Sequence, residues 1–186
     1  LELMLAGTGA LANAAGAGAP RAKAGRVVVV GAGYGGATAA KYVNMLGGGR
    51  IEVVLVDKQA QFVSCPVSNR VLGGAKTLEQ LTFGYDALRR SHGVNFMRGT
   101  VTAIDAEGSR IVVGGRPLPY TRLIVAPGID VDYDAFPTLA AAGLRIPHAW
   151  KAGPQTRALH RQLLAMPDGG VFTISVPLQP YRCPPA

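Results

Sequence analysis

Short runs of consecutive apolar residues, many of them β-branched, alternate along the chain with segments whose apolar residues recur at helical spacing. Continuous apolar runs are typical of strands buried on both faces, as in parallel sheets. Buried strands are predicted at 27–30, 51–56, 94–97 and 120–128, the last running into a turn, and helices at 37–46, 78–90 and 153–166. This alternation predicts an α/β fold built on a parallel sheet.

Three further short strands form a predicted antiparallel meander at 100–105, 110–113 and near Leu118, with glycine turns at 107–108 and 114–115. Residues 59–74 and 130–148 show little periodicity and are predicted as a loop and a connector. A glycine turn at 168–170 then leads into the apolar run 171–176. We expect this run to be the first strand of a second α/β domain.

A glycine cluster lies between the first predicted strand and the first predicted helix, and Gly31, Gly33 and Gly36 fit G-x-G-x-x-G. In this motif the first glycine permits a tight turn, the second lets the backbone approach a pyrophosphate, and the third lets helix and strand pack closely. The helix N-terminus then favours the bound anion. The motif predicts a dinucleotide site with Tyr34 covering the cofactor; a purely structural turn is the alternative.

Asp57 ends the second predicted strand, 57 − 31 = 26 positions after the first glycine, close to the ~20 typical of a ribose-binding acid. A carboxylate at this place accepts hydrogen bonds from ribose hydroxyls and repels a 2′-phosphate. It therefore favours FAD or NAD over NADP. An aspartate that only caps a loop is the alternative.

Two later turns bear on which nucleotide is bound. The strand at 120–128 follows the meander and ends in Ala126-Pro127-Gly128, an arrangement that resembles the second FAD-contacting segment of flavoproteins with two dinucleotide domains. The run 171–176 leads instead into 177–185, which has four prolines and no glycine. Proline has no N–H to donate, so this turn does not suit a second pyrophosphate. The pair of turns argues against an NADH-dependent reductase.

Composition adds little to this interpretation: the 186 residues are 48% hydrophobic and include 25 glycines, as in a globular α/β protein. The net charge is +8, but lysines and arginines are scattered and no basic run is interleaved with aromatics. Nucleic-acid binding is therefore not expected; the charge suits an acidic partner, small anions or solubility alone. Cys65 and Cys183 make neither a disulfide framework nor a zinc cluster, and their distinct contexts favour separate roles over pairing.

The first 24 residues are rich in alanine and glycine, with A-x-A spacing at 12–14 and 17–19. This pattern resembles a signal-peptidase region and predicts export to the periplasm; a disordered leader is the alternative. The segment is too short and too weakly apolar to span a membrane. We expect a leader at 1–24, an FAD-binding domain at 25–150, and the beginning of a second nucleotide-type domain at 151–186.

Taken together, several stretches resemble the flavoprotein subunit of flavocytochrome c sulfide dehydrogenase, a branch of the sulfide:quinone oxidoreductase relatives within the disulfide-reductase-like flavoproteins. These stretches are VVVVGAGYGGATAAKYV, SCPVSNRVLGG, FGYDALR, RLIVAPGID, PHAWKAGPQT and PYRCPP. The resemblance implies a Rossmann-like FAD-binding domain in an exported protein that oxidises sulfide and passes electrons to a haem-bearing cytochrome c subunit. The alternatives are a sulfide:quinone oxidoreductase-like enzyme and, because the family's second active-site cysteine is not among these residues, a truncated FAD-binding module without turnover.

The same resemblance assigns residues to the cofactor. It places Gly31, Gly33 and Gly36 at the FAD pyrophosphate, Asp57 at the adenosine ribose, the Val101 backbone at the adenine, and Ala126, Pro127 and Gly128 near the flavin; Tyr34, Gly35 and Lys58 complete the predicted set. Cys65 matches the family cysteine that forms a thioether to the 8α carbon of the flavin. An ordinary loop cysteine beside a noncovalent flavin is the alternative.

Cys183 matches one half of the redox-active cysteine pair beside the flavin. Attack of HS⁻ on a disulfide gives a persulfide, and the charge of Arg182 would favour a Cys183 thiolate. A buried structural cysteine is the alternative.

The remaining aromatic and imidazole side chains are given no catalytic role. Trp150 is expected to pack in the core. His92, His148 and His160 show no ligand spacing, and His160 is expected to face solvent. No metal site is predicted.

Overall fold

The structure is a computed structural model that describes residues 23–175. These residues form two compact units, one made of 23–58 and 87–126 and the other of 59–86 and 127–175. The strands are β1 (Gly25–Val30), β2 (Ile51–Asp57), β3 (Gln61–Val63), β4 (Thr82–Gly84), β5 (Asn95–Arg98), β6 (Val101–Asp105), β7 (Arg110–Val113), β8 (Arg116–Pro119) and β9 (Arg122–Val125). The α-helices are α1 (Tyr34–Leu46), α2 (Asn69–Leu72), α3 (Asp86–His92), α4 (Pro137–Ala142) and α5 (Pro154–Ala165), with 3-10 turns at Glu79–Leu81 and Gly143–Arg145.

The first unit is built on a four-stranded parallel sheet in the order β5-β2-β1-β9. The valines of β1 are paired with those of β2, Val28 opposite Val54 and Val30 opposite Val56. Helix α1 returns the chain from the end of β1 to the start of β2, as a parallel pair requires. The predicted α/β fold with a parallel sheet is confirmed.

Both faces of this sheet are covered at its two central strands, which explains why β1 and β2 contain continuous apolar runs, mostly of valine. On one face, Val28, Val54 and Val56 form a buried cluster with Ile111 and Val113 of the meander. On the other face, α1 packs against β1 and β2. A strand buried on both sides gains from apolar residues at every position, not at alternate ones.

The antiparallel meander β6-β7-β8 has the predicted strands and turns. Its central strand β7 alternates exposed and buried residues, with Ile111 and Val113 turned to the core and Arg110 exposed. Gly114 and Gly115 both have positive φ, 54° and 79°, in the turn between β7 and β8. Backbone in this region favours glycine, so the glycine pair was a reliable turn signal.

Between residues 59 and 92, most of which belong to the second unit, two predictions are wrong in detail. The loop predicted at 59–74 contains β3 and α2, and the helix predicted at 78–90 is a 3-10 turn, then β4, then α3. The cause is tertiary pairing: β3 and β4 form an antiparallel pair with Phe62 opposite Phe83. Gly84 then ends the strand and α3 begins at Asp86.

Two further expectations in the second unit need correction. The connector predicted at 130–148 contains α4, which starts with proline at its first turn, and a 3-10 turn. The helix predicted at 153–166 is α5, on which the Leu159 side chain is buried and the Leu164 side chain is 73% exposed. Residues 171–175 of the strand predicted at 171–176 are not in a strand, because no strand in the described part of the chain pairs with them; Val176 lies outside that part.

The domain bounds predicted at 24 and 150 stay a prediction. Within residues 23–175, no helix combines the length and apolarity that crossing a bilayer requires.

Candidate functional site

The carboxyl edge of the parallel sheet carries the glycine turn, and two of its glycines are required by geometry. Gly31 has φ +92°, and its N–H donates to the carbonyl of Val56 at 2.8 Å, so the turn leaves β1 while still bonded to β2. A Cβ on Gly36 would lie 1.7 Å from the carbonyl oxygen of Gly31. Helix α1 therefore approaches the turn more closely than any side chain allows.

Gly33 has the N-cap position of α1 and an ordinary φ of −73°. No side chain caps this helix and its first turn contains no acidic residue. Tyr34 is exposed, and a Cβ on Gly35 would be in ordinary contact with Ala126 at 3.8 Å. The first turn of this thirteen-residue helix therefore leaves its backbone N–H groups and the positive end of its dipole to a phosphate.

Asp57 stands at the end of β2 beside this turn. Its Oδ2 accepts a hydrogen bond from the backbone N–H of Ala32, 2.7 Å away, and its carbonyl accepts one from Gly99 at 2.8 Å. The carboxylate therefore contacts the glycine turn directly, twenty-five positions away in the chain. Lys58 is exposed, and its carbonyl accepts a 3.4 Å hydrogen bond from Nε of Arg98.

The remaining predicted residues of the first unit lie at its strand ends. Ala126 follows β9, and its N–H donates to the carbonyl of Val30 at 2.8 Å. Val101 begins β6 and packs against the buried valine cluster. The first unit thus brings together, at or near the ends of its strands, Gly31, Gly33, Tyr34, Gly35, Gly36, Asp57, Lys58, Val101 and Ala126. Pro127, Gly128 and Cys65 belong to the second unit, and Cys183 lies outside the described residues.

In the second unit, Cys65 is an exposed free thiol in a strained turn. Its carbonyl accepts a hydrogen bond from the N–H of Ser68 at 3.0 Å, which closes a four-residue turn. Val67 in that turn has φ +63°, a conformation that is unfavourable for a β-branched residue. The thiol donates to the carbonyl oxygen of Trp150 at 3.1 Å.

The segment 148–151 carries a cluster of polar contacts that the sequence did not reveal. The His148 N–H donates to Oε1 of Gln155 at 2.8 Å, and Nε2 of Gln155 donates to the Tyr133 hydroxyl at 3.3 Å. Nζ of Lys151 lies 2.7 Å from Oδ1 of Asp130. Three of these residues, His148, Lys151 and Gln155, occur in the stretch PHAWKAGPQT, which was the available signal, but their partners Asp130 and Tyr133 were not readable from it.

Burial and charge act on the His148 imidazole. Its Nδ1 is buried and has no hydrogen-bond partner among the described residues. Burial lowers the pKa of His148 first, and the positive charge of Lys151 lowers it further, against a smaller opposing effect of Asp130. The imidazole is therefore neutral at neutral pH.

Two expectations about side chains in this unit are wrong. Trp150 is 42% exposed instead of packed in the core, and the contact that links it to Cys65 uses its backbone carbonyl. His160 does not simply face solvent, because its Nδ1 lies 2.9 Å from the carbonyl of Leu72 in a half-buried position. That contact joins α5 to α2. Across residues 23–175, no three histidine, cysteine or acidic side chains are grouped so that they could bind a metal ion.

Two protein-family models match successive parts of this chain. The family model described as pyridine nucleotide-disulphide oxidoreductase matches residues 25–147. A second model, described as the central part of the sulfide dehydrogenase [flavocytochrome c] flavoprotein chain, matches residues 156–186. The sulfide dehydrogenase flavoprotein chain of Chlorobaculum thiosulfatiphilum is 54% identical over 46 residues, which make up 25% of this chain and 94% of that sequence.

Solved structures share the fold. The sulfide:quinone oxidoreductase of the hyperthermophilic bacterium Aquifex aeolicus superposes with a TM-score of 0.63 at 20% identity, over 77% of this chain and 32% of that one. A putidaredoxin reductase in covalent complex with putidaredoxin gives 0.59 at 21% identity, over 76% and 34%. A NAD-dependent persulfide reductase from A. fulgidus gives 0.60 at 19% identity, over 75% and 27%. The chain thus spans about a third of the length of these structures.

The predicted Rossmann-like fold and the resemblance to the sulfide dehydrogenase flavoprotein are confirmed by these matches. Family membership implies a flavin cofactor, and the first unit fits one: the N-terminus of α1 follows directly on the glycine turn, has no side-chain cap and has no acidic residue in its first turn, which suits a pyrophosphate. The family match over about two thirds of the chain agrees with the glycine turn and the carboxylate bonded to it, and this chain belongs to the pyridine nucleotide-disulphide oxidoreductase family.

Proposed function

We propose that this chain is the FAD-binding part of a flavoprotein that oxidises sulfide and passes the electrons to a cytochrome c subunit. One observation carries the proposal above others: the 54% identity to a sulfide dehydrogenase flavoprotein chain, together with the match of residues 156–186 to the central part of such chains. The fold alone is shared with a sulfide:quinone oxidoreductase and with a water-forming NADH oxidase, and it does not choose among such activities.

In this proposal the first unit holds the FAD pyrophosphate and adenosine. Gly31, Gly33 and Gly36 lie against the pyrophosphate, with Tyr34 and Gly35 in the first turn of α1 beside it. The Asp57 carboxylate, already bonded to the Ala32 N–H, accepts from the ribose hydroxyls, and Lys58 lies next to it. Val101 contacts the adenine through its backbone, and Ala126, Pro127 and Gly128 lie near the flavin.

Cys65 is proposed to tether the cofactor. Its side chain is exposed and its sulfur is in no disulfide, so it is available for a bond. Joining the thiol to the 8α methyl carbon of a bound flavin would break one S–H and one C–H bond and form one S–C bond. Cys65 would supply the sulfur; bound FAD would supply the carbon and accept the two hydrogens with their electrons, for which dioxygen would be the final acceptor.

Cys183 is proposed as one half of the cysteine pair that receives sulfide sulfur, with Arg182 favouring its thiolate. HS⁻ attacks the disulfide of the pair, one sulfur–sulfur bond forms as another breaks, and the released thiolate carries the two electrons. FAD, when bound, supplies the two-electron acceptor for this step. The partner is a haem-bearing cytochrome c subunit, and the place of action is the periplasm.

The first experiment is expression with FAD followed by acid precipitation. Yellow colour that stays with the pellet and is lost in Cys65→Ala supports the tether, whereas full release of flavin from the wild type contradicts it and favours the quinone-linked alternative. The second experiment follows flavin absorbance after addition of sulfide to the complete gene product. Bleaching that is unchanged in Cys183→Ser would falsify the role given to Cys183.

The electron acceptor is tested separately. After sulfide addition, reduction of the purified cytochrome c subunit but not of a soluble quinone supports the proposed partner. The reverse result supports a sulfide:quinone oxidoreductase-like enzyme. Bound FAD with no response to sulfide supports a module without turnover.

A further inference from the structure

The carbonyl oxygen of Trp150 holds the thiol of Cys65 through a hydrogen bond of 3.1 Å that joins residues 85 positions apart. Cys65 is exposed, so packing does little to restrain its side chain. The direction of the sulfur therefore depends on where the Trp150 carbonyl stands.

Side chains hold this carbonyl's segment at both ends. Two positions before Trp150, the His148 N–H donates to Oε1 of Gln155 at 2.8 Å. One position after it, Nζ of Lys151 is paired with Oδ1 of Asp130 at 2.7 Å. Residues 148–151, which contain no helix or strand, thus take their position from side chains on other segments.

Gln155 connects these supports. Its Oε1 receives the His148 N–H while its Nε2 donates to the Tyr133 hydroxyl at 3.3 Å, so one amide joins the 148–151 segment to the segment that contains Asp130. Gln155 itself is set in the first turn of α5. That turn is anchored by the buried Thr156, whose hydroxyl accepts from the Gly153 N–H at 3.1 Å.

The other partner of the hydrogen bond is also held in place. The turn from Cys65 to Ser68 is closed by a backbone hydrogen bond of 3.0 Å. Ser64, just before it, is buried, and its hydroxyl donates a hydrogen bond of 3.2 Å to the Pro66 carbonyl. Val67 at φ +63° marks this turn as one that its surroundings impose. The thiol that donates and the carbonyl that accepts are thus held by different contacts, and the position of the Trp150 carbonyl depends on Gln155 and Asp130.

We propose that Gln155 and Asp130 are positioning residues for the Cys65 thiol, acting through the Trp150 carbonyl. The purpose of that positioning, to present the sulfur to a flavin methyl group, rests on the tether proposed above. The positioning itself is a property of the second unit and is measurable on the thiol alone.

The test compares Gln155→Leu with two matched variants. Gln155→Glu keeps an oxygen that accepts from the His148 N–H. Gln162→Leu removes the other glutamine of α5, whose amide donates to the carbonyls of Leu144 and Arg145 instead. Asp130→Asn removes the charge that pairs with Lys151.

The first readout is the rate at which iodoacetamide alkylates Cys65, followed by mass spectrometry of its peptide so that Cys183 does not interfere. We expect the wild type to react more slowly than the urea-unfolded chain, and Gln155→Leu to react about tenfold faster than the wild type. Asp130→Asn should react faster too, while Gln155→Glu and Gln162→Leu keep the wild-type rate. Equal rates in Gln155→Leu and the wild type, with both folded by circular dichroism, would overturn the proposal.

The second readout is the fraction of flavin that remains with acid-precipitated protein after expression with FAD. Gln155→Leu should bind FAD before acid treatment as the wild type does, but retain much less of it afterwards. Retention equal to the wild type contradicts the positioning role. If the wild type itself retains no flavin, the proposed tether fails, and the alkylation rates still decide whether Gln155 positions the thiol.

Discussion

Oδ2 of Asp57 accepts a hydrogen bond from the backbone N–H of Ala32 at 2.7 Å. The acid at the end of β2 is therefore part of the glycine turn that follows β1, apart from any contact it makes with a ribose. A charged acceptor on a backbone N–H is among the stronger hydrogen bonds in proteins. The carboxylate thus fixes the turn before the cofactor arrives, which reduces the ordering cost of binding.

Replacing Asp57 with alanine should weaken FAD binding by about 10-fold to 100-fold, since a hydrogen bond to a charged group contributes about 1.5–3 kcal/mol. Asp57→Asn keeps an oxygen for the Ala32 N–H and should lose less. Fluorescence titration of the apoprotein with FAD measures both. Glu107→Ala, which removes an exposed carboxylate from the turn between β6 and β7, is the control and should bind as the wild type. Equal affinity in Asp57→Ala would contradict the role of this carboxylate.

Replacing Gly36 with alanine should destabilise the first unit by at least about 3 kcal/mol, because the new Cβ would lie 1.7 Å from the carbonyl oxygen of Gly31 and neither backbone can move without breaking the turn. FAD binding should be lost with it. Gly35→Ala is the matched control. Its Cβ meets only the Ala126 side chain at 3.8 Å, so urea unfolding should show a change of no more than about 1 kcal/mol. Similar losses of stability in both variants would show that the close approach of α1 to Gly31 is not the reason for a glycine at position 36.

The meander should depend on Ile111 for its attachment to the sheet. Ile111 is fully buried, at 0% exposure, in the cluster that contains Val28 and Val54. Ile111→Ala should lower the free energy of unfolding by about 2–5 kcal/mol, from lost burial and the cavity that remains. Ile104, in the same meander but 48% exposed, provides the comparison. Chemical denaturation of Ile104→Ala should show a change within about 0.5 kcal/mol, and a loss as large as that of Ile111→Ala would argue against this packing.

The free energy of unfolding of the second unit should decrease as the pH is lowered, because of His148. Burial, aided by Lys151, lowers the pKa of His148 in the folded protein, so the unfolded chain binds the proton more readily. The stabilisation is therefore complete above the unfolded pKa of about 6.5 and is lost as pH falls through the lower folded value. His148→Asn should flatten the dependence of melting temperature on pH between about pH 7.5 and 5.5. An unchanged slope in that variant would show that another group is responsible.

Most of the first unit was readable from short stretches of sequence. The valine runs predicted β1 and β2 because strands covered on both faces need apolar residues throughout, and the glycine pair at 114–115 predicted the turn whose positive φ requires it. The glycine motif and Asp57 predicted a nucleotide site because the requirements of such a site fall on a few residues at characteristic positions along the chain.

The second unit resisted sequence reasoning because its contacts join distant segments. The residues 78–90 have a helix-compatible pattern, yet part of them became β4 because a partner strand, β3, was available. Tertiary pairing overrides a weak local preference. The predictions for His160 and Trp150 were wrong for a related reason: the His160 ring lies against the Leu72 carbonyl, and the Trp150 carbonyl accepts from the Cys65 thiol, and neither contact is readable from local sequence.

By itself, then, the sequence determined the parallel sheet, the glycine turn and the acid that faces it, because backbone conformation and two-sided burial restrict which residues stand at those positions. Only the tertiary structure decided that Asp57 bonds to the turn through Ala32, and that the Cys65 thiol meets the Trp150 carbonyl on a segment held by Gln155. Backbone N–H and carbonyl groups occur at nearly every residue, so the sequence does not indicate which of them will bind a given side chain. Tertiary folding decides which side chain reaches which backbone group.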